Sequence, residues 1–170
     1  MVKIAFSTSE IIGAAIREIT GGEVNHVFFI FFDPVFNAQM TLGANANGLT
    51  IEVLDIFPDK IIYIFQPVEQ DKGLEIGIRK NIELLNKPYD FQGLFGMVAV
   101  ELARKLGNWE INNPLQSNRK LFCSEYGKKV LEDSGYNILP DINPGECDPS
   151  QLCQALLAVP DQFQSIKVGN

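Results

Sequence analysis

One histidine and three cysteines carry most of the reactive chemistry in this chain of 170 residues. A cysteine acts as a nucleophile when a histidine takes its proton and a polar group orients that histidine. Cys123 stands at the start of a predicted helix, where unpaired amides and the helix dipole are expected to lower the pKa of its thiol. His26 is the only imidazole available to serve as its base.

The other two cysteines, Cys147 and Cys153, have no histidine nearby in the sequence, so we expect both to be structural. An odd number of cysteines without close spacing does not predict a disulfide framework, and the thiols should be reduced. A zinc site would need His26 as a ligand and has no CxxC pair to anchor it. The sequence therefore predicts no metal and no cofactor.

Charge and hydropathy restrict the partners. The chain has 14 Lys and Arg against 21 Asp and Glu, and this net charge of -7 disfavours nucleic acid or an anionic membrane as the main partner. The longest nearly charge-free apolar segments, 27–32 and 91–100, are too short to span a bilayer, so no stable membrane insertion is expected. The amino terminus lacks the pattern of a signal peptide, which predicts a cytoplasmic protein.

The first half of the chain predicts one helix followed by strands. Ser7 and Glu10 have the spacing of a capping box, and the apolar residues after them recur at helical spacing until Gly21 and Gly22. Strands are predicted at 24–32, buried on both faces, and then at 35–42, 49–54 and 60–68. These four strands should form an antiparallel meander.

The second half of the chain predicts helices. Their segments are 74–85, 91–106, a third helix that begins near Cys123 and closes at Ser134 and Gly135, and a short one at 150–157. No repeat or linker divides the chain, so residues 1–170 should form a single domain. The fold class expected is α+β, with an antiparallel sheet of about four to six strands packed against helices.

Four short motifs stand at residues 19–27, 89–94, 122–126 and 148–150. They resemble motifs of the permuted NlpC-like cysteine hydrolases, the YiiX-type branch of the papain-like superfamily. Residues 19–27, Ile-Thr-Gly-Gly-Glu-Val-Asn-His-Val, are similar to that group's helix ending in Thr-Gly and strand beginning Ser-His-Val. Residues 122–126, Phe-Cys-Ser-Glu-Tyr, resemble its Phe-Cys-Ser-Glu motif. Residues 89–94 and 148–150 are similar to two less specific motifs, and the four occur in the family order along nearly the whole chain.

The resemblance implies a circularly permuted papain-like (NlpC-type) fold, in which the histidine strand precedes the cysteine helix. His26 precedes Cys123 by 97 positions (123 minus 26), in agreement with the permuted order. It further implies that Cys123 is the nucleophile and His26 the general base of a thiol protease or related hydrolase. The ion pair of the two would attack a peptide, isopeptide or acyl ester and form an acyl-enzyme.

Relatives carry a third residue, a second His, a Glu or another polar residue, on the strand that pairs with the histidine strand. Gln39 and Thr41 share one face of that predicted strand, while Gly43 stands where an acid would be expected. Glu52 and Asp55 are acidic candidates on the next strand. Gln39 is the residue we select to orient the imidazole through its amide oxygen, and Thr41, Glu52 or no third residue stay open.

The remaining polar residues of the motifs have simpler interpretations. The oxyanion should be held by the Cys123 amide and a second donor that the sequence does not identify. Ser124 and Glu125 are expected to be helix-start residues rather than catalysts, because successive helix positions turn by about a hundred degrees. Tyr89 and Asp90 could line the cleft, although Asp90 is more simply the N-cap of the helix that follows.

Two function classes remain open at this point. The first is a cysteine hydrolase, an amidase, peptidase or acyl-ester hydrolase. The second is a catalytically inactive papain-fold binding protein, because the chain shows no clear residue to orient His26. In a third interpretation, His26 and Cys123 are only structural members of an α+β domain.

Overall fold

A computed structural model describes residues 1–8, 22–56, 60–69, 73–90 and 121–168, together with positions 92, 96, 99, 103, 106 and 107. The strands are β1 (Lys3–Thr8), β2 (His26–Asp33), β3 (Ala38–Asn45), β4 (Gly48–Val53), β5 (Lys60–Pro67) and β6 (Phe163–Lys167). They form one antiparallel sheet in the order β4-β3-β2-β1-β5-β6. An α+β fold with an antiparallel sheet is therefore confirmed.

The helices of the described ranges are α1 (Leu74–Lys80), α2 (Cys123–Asp133) and α3 (Pro149–Leu157), with short 3-10 segments at Leu54–Ile56, Ile82–Leu84 and Pro144–Glu146. Helix α2 begins at Cys123 and ends at Asp133, with Ser134 as its C-cap, close to the start and end that the sequence predicted. None of the helices in this part of the chain has the length and hydropathy needed to span a bilayer.

Two predicted helices fall mainly outside the described residues. The one expected after Glu10 lies there completely. Of the one expected over 91–106, the described positions 92, 96, 99 and 103 are helical, and position 106 is in a turn. Ser7, expected to cap the first of these helices, lies in β1 opposite His26.

The hairpins from β2 to β4 follow from their turn residues. The Asp33 carboxylate accepts hydrogen bonds from the main-chain N–H groups of Val35 and Phe36 at 2.8 and 3.1 Å, which closes the turn after β2. Because Val35 and Phe36 belong to this turn, the second predicted strand begins at Ala38 rather than at 35.

The sheet differs from the predicted four-strand meander in its strand order and in two added strands, β1 and β6. Strand β5 pairs with β1 and not with β4, so the meander covers only β2, β3 and β4. Strand β6 was not predicted, because four of its five residues are exposed and give no buried alternation. Sequence periodicity identifies a half-buried strand but does not show which strand it pairs with.

Side chains alternate across β2 and divide the core into two clusters. Val27 and Phe29 face α2, where the Phe29 and Tyr126 rings meet edge to face with centroids 5.7 Å apart. Gly127 brings this helix close, since a Cβ there would lie 3.3 Å from the Val27 side chain. Phe28 belongs to the smaller cluster on the other side of the sheet.

Helix α3 is hydrogen-bonded to the segment that precedes His26. Asp148 caps its amino end, accepting from the N–H groups of Ser150 and Gln151 at 2.7 and 2.9 Å. The Ser150 hydroxyl then donates to the Val24 carbonyl at 2.7 Å. This contact gives the motif at residues 148–150 a structural role, because it fixes the chain two residues before His26.

Helix α1 packs against α2 through Gly77. Its N–H donates to the Ser134 hydroxyl at 3.0 Å, and a Cβ at this position would lie 2.1 Å from the Val130 carbonyl oxygen. We expect Gly77→Ala to lower the free energy of unfolding by about 1–3 kcal/mol despite the better helix propensity of alanine, because the two helices must separate. Chemical denaturation would measure this loss.

Ile76→Ala is the matched control on the same helix. The Ile76 side chain is 43% exposed, so its truncation should cost clearly less than the Gly77 substitution. Equal stability of Gly77→Ala and the unchanged chain would contradict the close packing described for this helix pair.

Candidate active site

Cys123 occupies the first turn of α2, directly after Phe122, whose extended backbone makes it the N-cap. Phe122 offers no side-chain cap, so the amides of the first turn remain available to other acceptors. The Cys123 side chain is 2% exposed. Burial raises the pKa of its thiol to about 11, whereas the sequence led us to expect a lowered value.

Several hydrogen-bond donors point at the Cys123 sulfur and oppose the rise in its pKa that burial causes. They are the main-chain N–H groups of Val27, Ser124 and Cys123 itself and the hydroxyl of Tyr89, and each lowers the pKa of the thiol by stabilising the thiolate. Burial remains the largest contribution. The helix start favours the thiolate as expected, but the cost of burying a charge is greater.

A short parallel bridge positions Tyr89 beside the sulfur. Tyr89 pairs with Leu121, two residues before Cys123. The Leu121 N–H donates to the Pro88 carbonyl at 3.0 Å, and the Asp90 N–H donates to the Leu121 carbonyl at 2.9 Å. Burial and the nearby thiol raise the pKa of Tyr89 well above its usual value, so its hydroxyl remains a proton donor.

His26 is the first residue of β2 and is 8% exposed. Its Nε2 lies 3.1 Å from the main-chain carbonyl oxygen of Ala44 in β3. The imidazole also contacts the ring of Phe28, with centroids 5.6 Å apart. Ala44 and Phe28 therefore both contact the imidazole.

The contacts of Cys123 and His26 share one position in the sheet. The register of β2 and β3 runs from Asp33 opposite Ala38 to Phe29 opposite Leu42, and two further residues would bring Val27 opposite Ala44. At that position the Val27 N–H donates to the Cys123 sulfur and the Ala44 carbonyl bonds His26. We call this position the open rung, meaning Val27 and Ala44.

The structure does not bring Gln39 to His26. Gln39 is exposed and lies opposite Phe32, six residues along β2 from the histidine. At about 3.3 Å per residue this separation is roughly 20 Å. In an antiparallel hairpin the start of β2 faces the end of β3, so Gln39, at the start of β3, is too far away to orient the imidazole.

The other candidates for a third residue have different partners. Thr41 lies opposite Ile30, and its hydroxyl donates to the Glu52 carbonyl at 3.3 Å. The Glu52 carboxylate accepts from the Asn45 amide at 2.8 Å and from the Thr50 hydroxyl at 3.0 Å. Thr41 and Glu52 therefore take part in pairing β3 with β4.

Gly43 and Asp55, the two remaining candidate positions, do not supply a side chain to orient His26. A Cβ at Gly43 would lie 2.7 Å from the Cβ of Phe28, so the position expected to carry an acid has no room for a side chain. Asp55 is exposed in the 3-10 segment that follows β4.

The remaining polar residues of the motif and the other thiols are packed into the core. The Ser124 hydroxyl donates to the Cys147 carbonyl at 2.6 Å, which joins the start of α2 to the segment before α3. Burial raises the pKa of Cys147 and raises that of Cys153 to about 12. Within the described ranges, His, Cys, Asp and Glu form no cluster that could hold a metal ion.

No protein-family model matches the chain, and no curated protein matches it either. The likeness to permuted NlpC-like hydrolases thus depends on four short motifs. The described site contains a buried thiol that accepts from three main-chain N–H groups and one hydroxyl. It also contains the imidazole of His26, the residue before Val27, whose N–H is one of these donors.

The Tyr89 hydroxyl gives a prediction about the thiol. Tyr89→Phe removes a donor to the sulfur, so the pKa of Cys123 should rise further, by about one unit for a hydrogen bond to a charged group. Iodoacetamide alkylation across a pH series, with Cys123 followed by peptide mass spectrometry, measures the midpoint.

Tyr126→Phe is the control, because Tyr126 is also buried but packs against Phe29. It should leave the alkylation midpoint of Cys123 unchanged. Equal midpoints in the two Tyr→Phe variants would show that the Tyr89 hydroxyl does not stabilise the thiolate.

The buried thiols should also make stability depend on pH. Their pKa values exceed about 8.5, the value of an unfolded cysteine, so the unfolded chain ionises first. The stabilisation is complete below pH 8 and is lost as the pH rises through 9 toward 11, by about 1.4 kcal/mol for each pKa unit of difference. Denaturant titrations at pH 7.5 and 10.5 measure the loss.

Cys147→Ala isolates the contribution of one thiol. The cavity that it leaves costs stability equally at both pH values, whereas the fall between them should be smaller than in the unchanged chain. An identical fall would mean that Cys147 does not resist ionisation in the folded state.

Proposed function

We propose that the chain is a cysteine hydrolase of the circularly permuted papain-like (NlpC-type) class that cleaves an amide or ester through an acyl-enzyme. The open rung is the observation that carries this proposal, because it joins the nucleophile and the base to neighbouring main-chain groups. The order of the motifs, with His26 on a strand that precedes the helix of Cys123, supports the permuted arrangement.

The raised pKa determines how the first step would proceed. With a pKa of about 11, about one thiol in a thousand is ionised at pH 8, so a preformed ion pair is disfavoured. His26 would accept the proton as the Cys123 sulfur attacks the acyl carbon. The carbon–sulfur bond forms, the bond to nitrogen or oxygen breaks, and His26 returns the proton to the leaving amine or alcohol.

The donors around the sulfur would also stabilise the charge that develops in the reaction. Once sulfur is bonded to the acyl group, the Tyr89 hydroxyl and the first amides of α2 remain in the same buried region to donate to the oxyanion. Water deprotonated by His26 would then attack the thioester, releasing the carboxylic acid and restoring the Cys123 thiol.

The substrate proposed is an acyl compound: a peptide, an isopeptide or an acyl ester. The net charge of -7 supports a partner other than nucleic acid. Cys123, Cys147 and Cys153 are all free thiols, which supports a reducing compartment and the proposed cytoplasmic location.

The competing function is binding by a catalytically inactive chain of the same fold. The observation that favours it is the burial of Cys123, which is 2% exposed and has a raised pKa. In that case the sulfur and its donors would serve only to pack α2 against β2. Reaction with an acyl compound separates the two functions.

A p-nitrophenyl ester of a short carboxylic acid tests the proposal. We expect a burst of nitrophenol of about one equivalent, together with an acyl adduct on Cys123 in the intact-protein mass spectrum. Cys123→Ala should abolish both, and His26→Ala should slow acylation by about 100-fold or more.

Cys147→Ala and Cys153→Ala are matched controls, because each also removes a buried thiol. Both should keep the burst and the adduct. No acylation of Cys123 across a series of acyl chain lengths, in a folded protein, would favour the inactive binding protein.

A further inference from the structure

We propose that the main-chain carbonyl of Ala44 replaces the third catalytic side chain and holds His26 in the tautomer protonated on Nε2. Nδ1 is then the nitrogen that receives the proton of Cys123. This inference depends on the proposed function for its catalytic meaning, but the tautomer itself is a property of the resting protein. Ala44 acts here as a positioning residue through its backbone.

The chemistry of the contact determines the tautomer. A carbonyl oxygen can only accept a hydrogen bond, so His26 Nε2, 3.1 Å from the Ala44 oxygen, must carry the proton. A neutral imidazole has one protonated nitrogen, which leaves the lone pair of Nδ1 to act as the base. The hydrogen bond at one nitrogen thereby selects the reactive nitrogen.

The side chains expected to fill this role lie elsewhere. Gln39 is at the far end of the hairpin, and the Glu52 carboxylate accepts from Asn45 and Thr50. Gly43, beside Ala44, has no room for a side chain because of Phe28. The Ala44 carbonyl oxygen, by contrast, lies within hydrogen-bond distance of Nε2.

The strand holds this carbonyl firmly. Ala44 is completely buried and lies opposite Leu49 in β4, so its peptide groups cannot turn away without disrupting that pairing. A carbonyl dipole also stabilises an imidazolium less than a carboxylate would. This weaker support fits a neutral Cys123 thiol that His26 deprotonates during attack.

Nitrogen-15 NMR of the imidazole tests the inference on the intact protein. Because the chain contains one histidine, the long-range proton–nitrogen spectrum holds a single imidazole and needs no assignment by mutation. Above the pH at which the ring becomes neutral, we expect a protonated Nε2 and an unprotonated Nδ1. A protonated Nδ1, or rapid averaging of the two tautomers, would overturn the inference.

Gly43→Ala perturbs the carbonyl without touching either reactive side chain. The added Cβ would lie 2.7 Å from that of Phe28 and should push β3 away from β2 next to Ala44. We expect the amide resonances of Ala44 to shift and the imidazole to populate both tautomers. A shifted strand with an unchanged tautomer would show that another group holds the imidazole.

Gly135→Ala is the control for general destabilisation. Gly135 has a φ of 87°, which an alanine adopts only with strain, and it follows the opposite end of α2 from Cys123. It should lower stability and leave the tautomer unchanged. A change of tautomer in this control would attribute the effect to loosened folding and overturn the role of Ala44.

The outcomes for the inference and for the proposed function can be told apart. If Cys123 is acylated while His26 is protonated on Nδ1, the role of Ala44 is refuted and the hydrolase function is supported. If Cys123 is not acylated while His26 is protonated on Nε2, the hydrolase function is refuted and the Ala44 carbonyl keeps its structural role.

Discussion

The interruption of pairing between β2 and β3 is the constraint on which the candidate site depends. Where Val27 and Ala44 would face each other, one main-chain group bonds Cys123 and the other bonds His26. Buried main-chain groups must find partners, and here side chains from a helix and a strand supply them. The same interactions therefore give the Cys123 thiol and the His26 imidazole main-chain partners at one position of the sheet.

Burial and hydrogen bonding act on Cys123 in opposite directions. Burial removes water from the sulfur and raises its pKa to about 11, while Val27, Ser124 and Tyr89 donate to it and lower the pKa. Because burial dominates, the resting site holds a neutral thiol. Donors that are too weak to ionise the thiol at rest are still oriented toward the charge that forms during acyl transfer. This balance favours general-base chemistry by His26 over a stored ion pair.

The parts of the fold that depend on local sequence were predictable, and those that depend on pairing were not. The gap between the predicted strands 24–32 and 35–42 located the hairpin of β2 and β3, and Cys123 was placed correctly at the start of α2. The register was missed, because alternation assigns Gln39 to a face without showing which end of the hairpin meets His26. The raised pKa of Cys123 was missed for a similar reason, since burial arises from packing between distant segments. A main-chain acceptor such as Ala44 has no side-chain signal, so sequence alone could not identify it.

The ionisation of Cys123 in isolation tests the account most directly. In the double variant Cys147→Ala, Cys153→Ala, Cys123 is the single remaining thiol, and its thiolate absorbance can be followed across a pH titration. A buried thiol with the described donors should titrate near pH 11, above the value of about 8.5 for a free cysteine. A midpoint well below that of free cysteine would instead reveal a stored thiolate, and would contradict a neutral nucleophile that gives up its proton only during attack.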